Sequence, residues 1–302
     1  MDGALLLDKP LGVSSNAALQ QVKRLYGARK AGHAGTLDPL ASGLLLVLFG
    51  EATKFAGPLL DADKEYLATV KLGERTATAD AQGEVLETKP VQVSEPQVLA
   101  VLHRFCGSIE QVPPMHSALK RGGVPLYKLA RRGESVERAP RRVQILELEK
   151  IALRPPLLEI RVRCSKGTYI RTLAEDLGKA LGTVAHLSSL RRTASGSFHV
   201  RDALGPQALQ ALPALERRRR VVPLERLLGE LPRTQLDATA ESRLRNGQAL
   251  SMPGLAAGIF ALLRPDGSVI GLARADAHGA LRPLRLTAAT TQPADNQLKS
   301  RA

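Results

Sequence analysis

Apolar and polar positions alternate along the chain with the periods of strands and helices. The apolar run 4–7 predicts a strand, and residues 14–27 follow with helical spacing, opened by serine N-cap candidates and closed by a glycine. A further helix is expected over 51–60. Residues 65–72 then alternate with period two, which predicts a strand with Tyr66 on its apolar face. The chain therefore begins as a mixture of strands and helices.

The middle of the chain continues this pattern on either side of a basic break. Residues 94–107 open with a capping-box spacing and a proline in the first turn, which predicts a helix. Residues 112–142 lose the period, and the stretch holds eight Lys or Arg against two Glu, as is typical of a functional loop rather than of core. A strand is expected over 158–164 and a helix over 170–181. This arrangement places Tyr169 at a strand-to-helix junction.

The last third of the chain changes in character after an uninterrupted basic run, Arg217–Arg220. We place a domain boundary near 229–232. Residues 231–286 are rich in glycine, with short alternating segments between turns, and this pattern predicts a small β-barrel. Residues 287–302 lack an apolar period and are expected to be disordered. The prediction is an α+β protein with a large first domain, 1–230, and a small second one.

Composition narrows the class of partner. The 302 residues carry 43 Lys and Arg against 29 Asp and Glu, a formal net charge of +14. Such an excess favours nucleic acid, although a solvated arginine-rich surface is the simpler alternative. Cys106 and Cys164 are isolated, which argues against a zinc site or a disulfide framework and favours a reducing cytoplasm. The longest apolar run, 44–49, is far below the roughly 20 residues that span a bilayer.

One short stretch, GHAGTLDPLASGLLL at 32–46, places a lone carboxylate before an apolar run. Asp38 lies between a leucine and a proline, so it is either a turn former or a reagent. The commonest motifs for nucleotide, metal and serine chemistry are absent. The sequence DAQGE at 80–84 is read as a hairpin turn and not as a calcium loop.

The stretch around Asp38 resembles the active-site segment of the TruB family of tRNA pseudouridine synthases. The similarity continues through ordered blocks over most of residues 4–196. These blocks are LLLDKPLGVSSN, GEATKF, KEYLATVKLGERTATAD, SALK, LYKLAR, CSKGTYIRTLAEDLG and LRRTASG. The C-terminal part is similar, more weakly, to the PUA-type RNA-binding domain of that family. The resemblance implies a mixed-sheet catalytic domain that isomerises uridine-55 of the tRNA T-loop to pseudouridine without cofactor or metal.

The resemblance also assigns roles at the reacting base. Asp38 is the nucleophile, and it attacks either C1′ or C6 of the uridine. Arg171 is its cationic partner, 133 positions further along the chain. Tyr66 packs on the uracil and assists removal of the C5 proton, whereas its period alone would favour a core aromatic. Uridine must leave its stack to reach such a pocket, so we expect base flipping.

Further residues are assigned to RNA binding by the same resemblance. Tyr169 and Leu190 are expected in the pocket, and His33 is expected to contact nucleotides of the loop. The basic segment 112–142 is expected to close over the RNA. The expected phosphate contacts are Lys9, Lys120, Lys128, Arg131 and Arg132. Two departures from the family pattern, His116 and Val124-Pro125, redistribute contacts within that segment.

Other functions stay open from the sequence. A non-catalytic RNA-binding or tRNA-folding protein on the same fold is the main alternative, and the guide-RNA-dependent branch of the family is another. A glycosidase is disfavoured, since no second acid lies in any motif. We expect a cytoplasmic monomer that acts on tRNA with no protein partner and no membrane association.

Overall fold

The computed structural model describes most of the chain: residues 1–117, 119–130, 132–134 and 136–288. The chain divides into two compact units, Gly3–Val222 and the part from Pro223 onward. All but two residues of the segment expected to be disordered, 287–302, lie outside the described part.

The first unit alternates strands with short helices, as the periodicity predicts. Two 3-10 helices, Gly50–Phe55 and Val200–Asp202, interrupt it. In chain order its other elements are β1 Gly3–Lys9, α1 Ser15–Leu25, β2 Ala31–Ala34, β3 Ala41–Phe49, α2 Ala56–Asp61, β4 Lys64–Leu72, β5 Glu74–Thr76, β6 Val85–Thr88, α3 Glu95–Phe105, β7 Gly107–Gln111, β8 Lys120–Arg121, β9 Val124–Pro125, α4 Leu126–Ala130, β10 Arg141–Arg154, β11 Leu157–Cys164, α5 Ile170–Ala180, β12 Ala185–Ser195, β13 Phe198–His199, α6 Pro206–Ala211, α7 Ala214–Arg219 and β14 Val221–Val222.

Ten of these strands form one sheet with a main path β14-β1-β3-β12-β4-β11-β10-β7. All neighbours along this path are antiparallel except β12 and β3, which run parallel through three residue pairs, Leu190–Arg192 against Ala41–Gly43. The sheet is therefore mixed, as expected. The parallel pairing brings the start of β3 beside the middle of β12.

Helices cover the two halves of this sheet with separate cores. Helices α3 and α5 bury apolar side chains, Val98 and Leu173 among them, against β4, β10, β11 and β12. Helix α1 places Ala18 and Val22 against β1 and β3. These are the helical faces that spacing predicts. The described residues of the basic segment 112–142 form the small β8-β9 pair, the five-residue α4 and the start of β10.

The second unit contains short elements around one sheet. They are α8 Leu224–Leu227, β15 Arg233–Gln235, α9 Ala238–Arg245, β16 Leu250–Ser251, β17 Gly258–Leu263, β18 Val269–Ala275 and β19 Ala280–Leu286. The strand order is β15-β17-β18-β19-β16, a half-barrel whose two end strands, β15 and β16, are not paired with each other within the described residues. Its core includes Leu244 of α9 and Phe260, Leu262 and Ile270. None of the described helices is long and apolar enough to cross a membrane.

Candidate active site

Asp38 lies in the turn that leads from β2 into β3. Its carbonyl oxygen accepts a hydrogen bond from the Ala41 amide at 3.0 Å, which closes a turn through Pro39. The turn-former interpretation is therefore confirmed. The side chain nevertheless stays 42% exposed and lines a cleft. Asp38 is thus held by backbone bonds while its carboxylate remains accessible.

Arg171 of α5 reaches this carboxylate from across the sheet. One terminal guanidinium nitrogen lies 2.8 Å from Asp38 Oδ2, and the Arg171 side chain is only 6% exposed. The same guanidinium donates to the carbonyl oxygens of Thr78, at 3.2 Å, and His116, at 2.7 Å. Asp80 Oδ2 lies 3.8 Å from Nε. The guanidinium is therefore fixed on several sides, which orients the Asp38 carboxylate without covering it.

Asp80 is part of the β5-β6 hairpin, in agreement with the hairpin interpretation of 80–84. Two backbone hydrogen bonds join this hairpin to β12: the Ala81 amide donates to the Leu187 carbonyl oxygen, and the Leu187 amide donates to the Ala79 carbonyl oxygen, each at 3.0 Å. The Asp80 carboxylate accepts hydrogen bonds from the Thr78 hydroxyl at 2.6 Å and from the Gln82 amide at 3.0 Å. Asp80 is buried, so its charge is compensated mainly by these donors and by Arg171.

Tyr66 of β4 lies opposite Arg192 of β12 and lines the same cleft. Burial raises the pKa of the Tyr66 hydroxyl, and the neighbouring charge of Arg192 partly offsets this rise. Arg192 is itself buried and donates to the carbonyl oxygens of Leu44, at 2.7 Å, and Gly35, at 3.0 Å. A Cβ at Gly43, where φ is +100°, would collide with the Arg192 backbone, so glycine permits the close approach of β3 and β12.

These side chains surround one cleft of about 720 Å³. That volume is within the range of small-molecule sites, which is enough for a flipped nucleoside. The cleft brings together six of the residues that the sequence assigned to the site: His33, Asp38, Tyr66, Tyr169, Arg171 and Leu190. The walls combine the turn before β3, strands β4 and β12, the hairpin tip and the start of α5.

His33 lies on β2 in the wall of the cleft. Burial lowers the pKa of its imidazole, and the Arg192 charge lowers it further, which favours the neutral form at pH 7. Its Nδ1 is buried with no hydrogen-bond partner among the described residues. A neutral ring suits contact with a nucleotide better than pairing with a phosphate.

Tyr169 is the N-cap residue of α5, and its backbone is anchored to Gln111 of β7. The Gln111 side chain accepts from the Tyr169 amide at 3.0 Å and donates to its carbonyl oxygen at 3.3 Å. Burial raises the pKa of the Tyr169 phenol. This anchoring fixes the start of α5, from which Arg171 extends.

The expectation that Lys9 contacts phosphate is wrong in this structure. Lys9 is fully buried, and its Nζ donates to the carbonyl oxygens of Pro10 at 2.9 Å and Val13 at 2.6 Å. Burial lowers the pKa of Lys9 to about 8, partly offset by Asp38. The side chain therefore fixes the chain between β1 and α1 and is not available to RNA.

The other expected phosphate contacts lie in the basic segment. Lys128 of α4 and Arg132 are exposed and outside the cleft. Arg131 and the Lys120 side chain lie outside the described part of the structure. The side chains of Lys128 and Arg132 are accessible beyond the cleft, and the Arg132 guanidinium lies 3.9 Å from the exposed Glu134 carboxylate.

Asp80 and Arg192 are the site residues that the sequence did not reveal as such. Asp80 sits in a turn-like stretch, and Arg192 is one arginine among many. Within the described ranges, no group of three His, Cys, Asp or Glu side chains is placed to hold a metal ion.

Comparison with known proteins gives the class. The family model of the N-terminal domain of TruB family pseudouridylate synthases matches residues 23–170. Models of the C-terminal domain of tRNA pseudouridylate synthase B and of the TruB C-terminus match 171–229 and 232–287. A solved Cbf5-Nop10-Gar1 complex contains a chain of the same fold, with a TM-score of 0.75 and 27% identity over 94% of this chain and 84% of that one. The fold and the matched domains define a pseudouridine synthase.

Individual relatives make the assignment more specific. The tRNA pseudouridine synthase B of Aromatoleum aromaticum is 52% identical over 97% of this chain and 95% of the relative. That of Burkholderia mallei is also 52% identical, over 95% of this chain and 97% of the relative. The chain belongs to the TruB family.

Proposed function

We propose that the protein converts uridine-55 in the T-loop of tRNA to pseudouridine, in the cytoplasm and as a monomer. The reaction breaks the bond between C1′ and N1, turns the uracil within the pocket and forms a bond between C1′ and C5. C5 gives up its proton in this step, and N1 takes up a proton. The reaction needs a nucleophile and a closed site but no redox step, so we propose that it uses no cofactor.

Asp38 is the proposed nucleophile, and one observation carries this assignment. Its carboxylate is accessible in the cleft while Oδ2 stays 2.8 Å from a buried Arg171. An attacking carboxylate must be oriented toward its target, and this pairing orients it while leaving it open to the substrate. Tyr66 faces the same space, where its phenol can pack on the uracil and take part in proton transfer at C5.

Base flipping supplies the uridine. A cleft of this size holds one nucleoside and not a stacked loop, so the base must leave its stack at a cost of a few kcal/mol. We propose that contacts with the RNA offset this cost. These contacts would come from His33, Tyr169 and Leu190 around the base and from Lys128 and Arg132 on the RNA backbone. Lys120 and Arg131 belong to the same proposed clamp, 112–142.

The second domain, 231–286, is proposed to be a PUA-like RNA-binding barrel. The half-barrel sheet supports this proposal, as does its resemblance to the domain that family members append. Its contribution would be affinity for RNA outside the loop, since the chemistry needs only the first unit.

Release of tritium from C5 of labelled uridine in a tRNA transcript tests the activity. We expect steady release by the wild type and none by Asp38→Asn, which should still bind the transcript. The tRNA is presented without any other protein, so activity also separates a self-sufficient enzyme from a guide-RNA-dependent one. If the wild type binds the transcript but releases no tritium, the non-catalytic alternative is supported. An Asp38→Asn protein that releases tritium would exclude Asp38 as the nucleophile.

A further inference from the structure

Two basic segments that the cleft does not use are brought together in the first unit. One covers residues 23–30, the end of α1 and the loop after it; the other covers 214–220, which is α7 and its C-cap. They contain eight basic side chains against one acidic, Glu216. The basic members, called here the α1-α7 basic surface, are Lys23, Arg24, Arg29, Lys30, Arg217, Arg218, Arg219 and Arg220.

A fixed contact joins the two segments. Tyr26, the C-cap of α1, donates its hydroxyl to the Arg217 carbonyl oxygen at 3.0 Å, and its ring stacks on buried Phe49 with centroids 5.2 Å apart. Burial raises the pKa of Tyr26 to about 12, against the opposing charges of Arg217 and Arg220. The segments therefore share one anchored surface, although 191 positions separate Tyr26 from Arg217.

The charges of this surface are not neutralised by ion pairs within the described part of the chain. Six of the eight side chains are exposed, and Lys23 and Arg217 are partly buried. Among the described residues, none of the eight has a carboxylate within 4.0 Å. The helix dipole favours cations in the last turn of α7 but does not account for Arg29 and Lys30. Clustered like charges repel, so this surface is complementary to a polyanion.

The surface lies along α1 from the cleft. Ser14, Ser15 and Asn16 at the start of α1 line the cleft. Arg24 follows nine residues after Ser15, which corresponds to about 14 Å along the helix axis. An RNA held in the cleft by its loop would have further backbone phosphates within this distance.

We propose that the α1-α7 basic surface is a second RNA-contact surface that binds the sugar-phosphate backbone outside the loop held in the cleft. The guanidinium fork matches phosphate geometry, and six of the eight members are arginines. Leu215 is the one large apolar side chain exposed on α7, which is too little for insertion into a lipid surface. The identity of the RNA as tRNA rests on the proposed function, whereas the surface itself does not.

Paired substitutions test the surface against a matched control. Arg218→Gln/Arg219→Gln and, separately, Arg24→Gln/Arg29→Gln remove two charges from each segment. Arg104→Gln/Arg154→Gln removes two exposed arginines of the same unit that have no ion pair in the described part of the chain. The measurement is the dissociation constant of a tRNA transcript over about 50 to 200 mM salt.

We expect each surface pair to weaken binding about five- to tenfold near 0.1 M salt and to lower the slope of log affinity against log salt by about one to two. The control should change affinity less than twofold. The unfolding midpoint and the single-turnover rate at saturating enzyme should match the wild type, because the surface is remote from the reacting base. Loss of RNA affinity would support the surface even in a protein that releases no tritium, which separates it from the proposed function.

The proposal is overturned if the surface pairs and the control behave alike. It is equally overturned if the surface pairs leave tRNA binding unchanged but abolish binding to phosphatidylglycerol vesicles, since the partner would then be a lipid surface.

Discussion

At the scale of single residues, Arg171 is shared between an accessible carboxylate and a buried one. Asp38 Oδ2 lies 2.8 Å from a terminal guanidinium nitrogen of Arg171, and Asp80 Oδ2 lies 3.8 Å from Arg171 Nε. The Asp80 side chain is only 6% exposed, and its carboxylate also accepts hydrogen bonds from the Thr78 hydroxyl and the Gln82 amide, so we expect it to act through the guanidinium. We regard Asp80 as a positioning residue for the Asp38 carboxylate.

Replacing this buried carboxylate should therefore affect chemistry more than binding. We expect Asp80→Asn to lower kcat at least tenfold, about 1.4 kcal/mol or more in the barrier, while the dissociation constant for tRNA changes less than threefold. Thr78→Val, which leaves the carboxylate but removes its 2.6 Å hydroxyl donor, should have a smaller effect in the same direction. Single-turnover tritium release and filter binding measure the two quantities. A normal kcat in Asp80→Asn would exclude the positioning role.

A substitution at Lys9 distinguishes a structural role of this side chain from a role in phosphate binding. Lys9→Met leaves the carbonyl oxygens of Pro10 and Val13 without their donor, which should lower the free energy of unfolding by about 1–3 kcal/mol. Because the ammonium does not reach RNA, the salt dependence of tRNA binding should not change. Lys128 is exposed and serves as the comparison. We expect Lys128→Gln to reduce the slope of log affinity for tRNA against log salt and to leave the free energy of unfolding unchanged. Denaturant unfolding and salt-series binding distinguish them, and a lowered slope in Lys9→Met would restore the phosphate contact.

Residue types and local order predict some of these roles and not others. Asp38 stands out because a lone acid beside proline and an apolar run is chemically unusual. Its pairing with Arg171 came from resemblance, since no local pattern links positions 133 apart. Asp80 was hidden by a turn-like context, and Lys9 was misassigned because its neighbours in sequence do not reveal that three-dimensional packing buries it.

At the scale of elements, the start of α1 is coupled to the turn that carries Asp38. The buried Ser15 hydroxyl donates to the Leu37 carbonyl oxygen at 2.8 Å and accepts from the Leu37 amide at 2.7 Å. Both backbone groups of the residue before Asp38 are thus satisfied by one side chain. The start of α1 therefore helps to fix the position of Asp38 in the cleft.

Two adjacent serines allow this coupling to be tested. Ser15→Ala should lower the free energy of unfolding by about 1–3 kcal/mol and also lower kcat, because buried Leu37 groups lose their partner and the turn loosens. Ser14 caps the same helix by accepting from the Ala17 amide at 3.1 Å, so Ser14→Ala should cost about 1 kcal/mol and leave kcat unchanged. Thermal unfolding and single-turnover rates of both variants give the comparison. Equal rates in both would show that Ser15 supports only the helix.

Strands and helices with a clear period were predictable, and their pairing was not. β4, α3, β11 and α5 lie where alternation or helical spacing predicts them. The small elements within 112–142 were missed because short, basic segments carry no period. Sheet order depends on contacts such as Leu190 with Ala41, which no local window contains.

At the scale of the whole molecule, the charge of +14 should govern affinity for RNA. We expect the affinity of the wild type for a tRNA transcript to fall at least about a hundredfold between roughly 50 and 200 mM salt, through release of counterions from the phosphates. Single-turnover tritium release at saturating enzyme should change little over this range, because the paired groups of the cleft are partly buried and weakly screened. A salt-insensitive dissociation constant would contradict the electrostatic account of binding.

The parallel pairing of β3 with β12 also bears on how the enzyme is made. Residues 41–43 and 190–192 meet only when two halves of the sheet, each antiparallel within itself, come together. Because contacts so distant in sequence must close a long loop before they can form, we expect this pairing to form late in folding. The cleft lies at this junction, so a nascent chain that already carries its basic segments can attract RNA before it can react. We therefore expect the chain to become active only late in folding. Enzyme activity would then be a measure of how much of the first unit has folded completely.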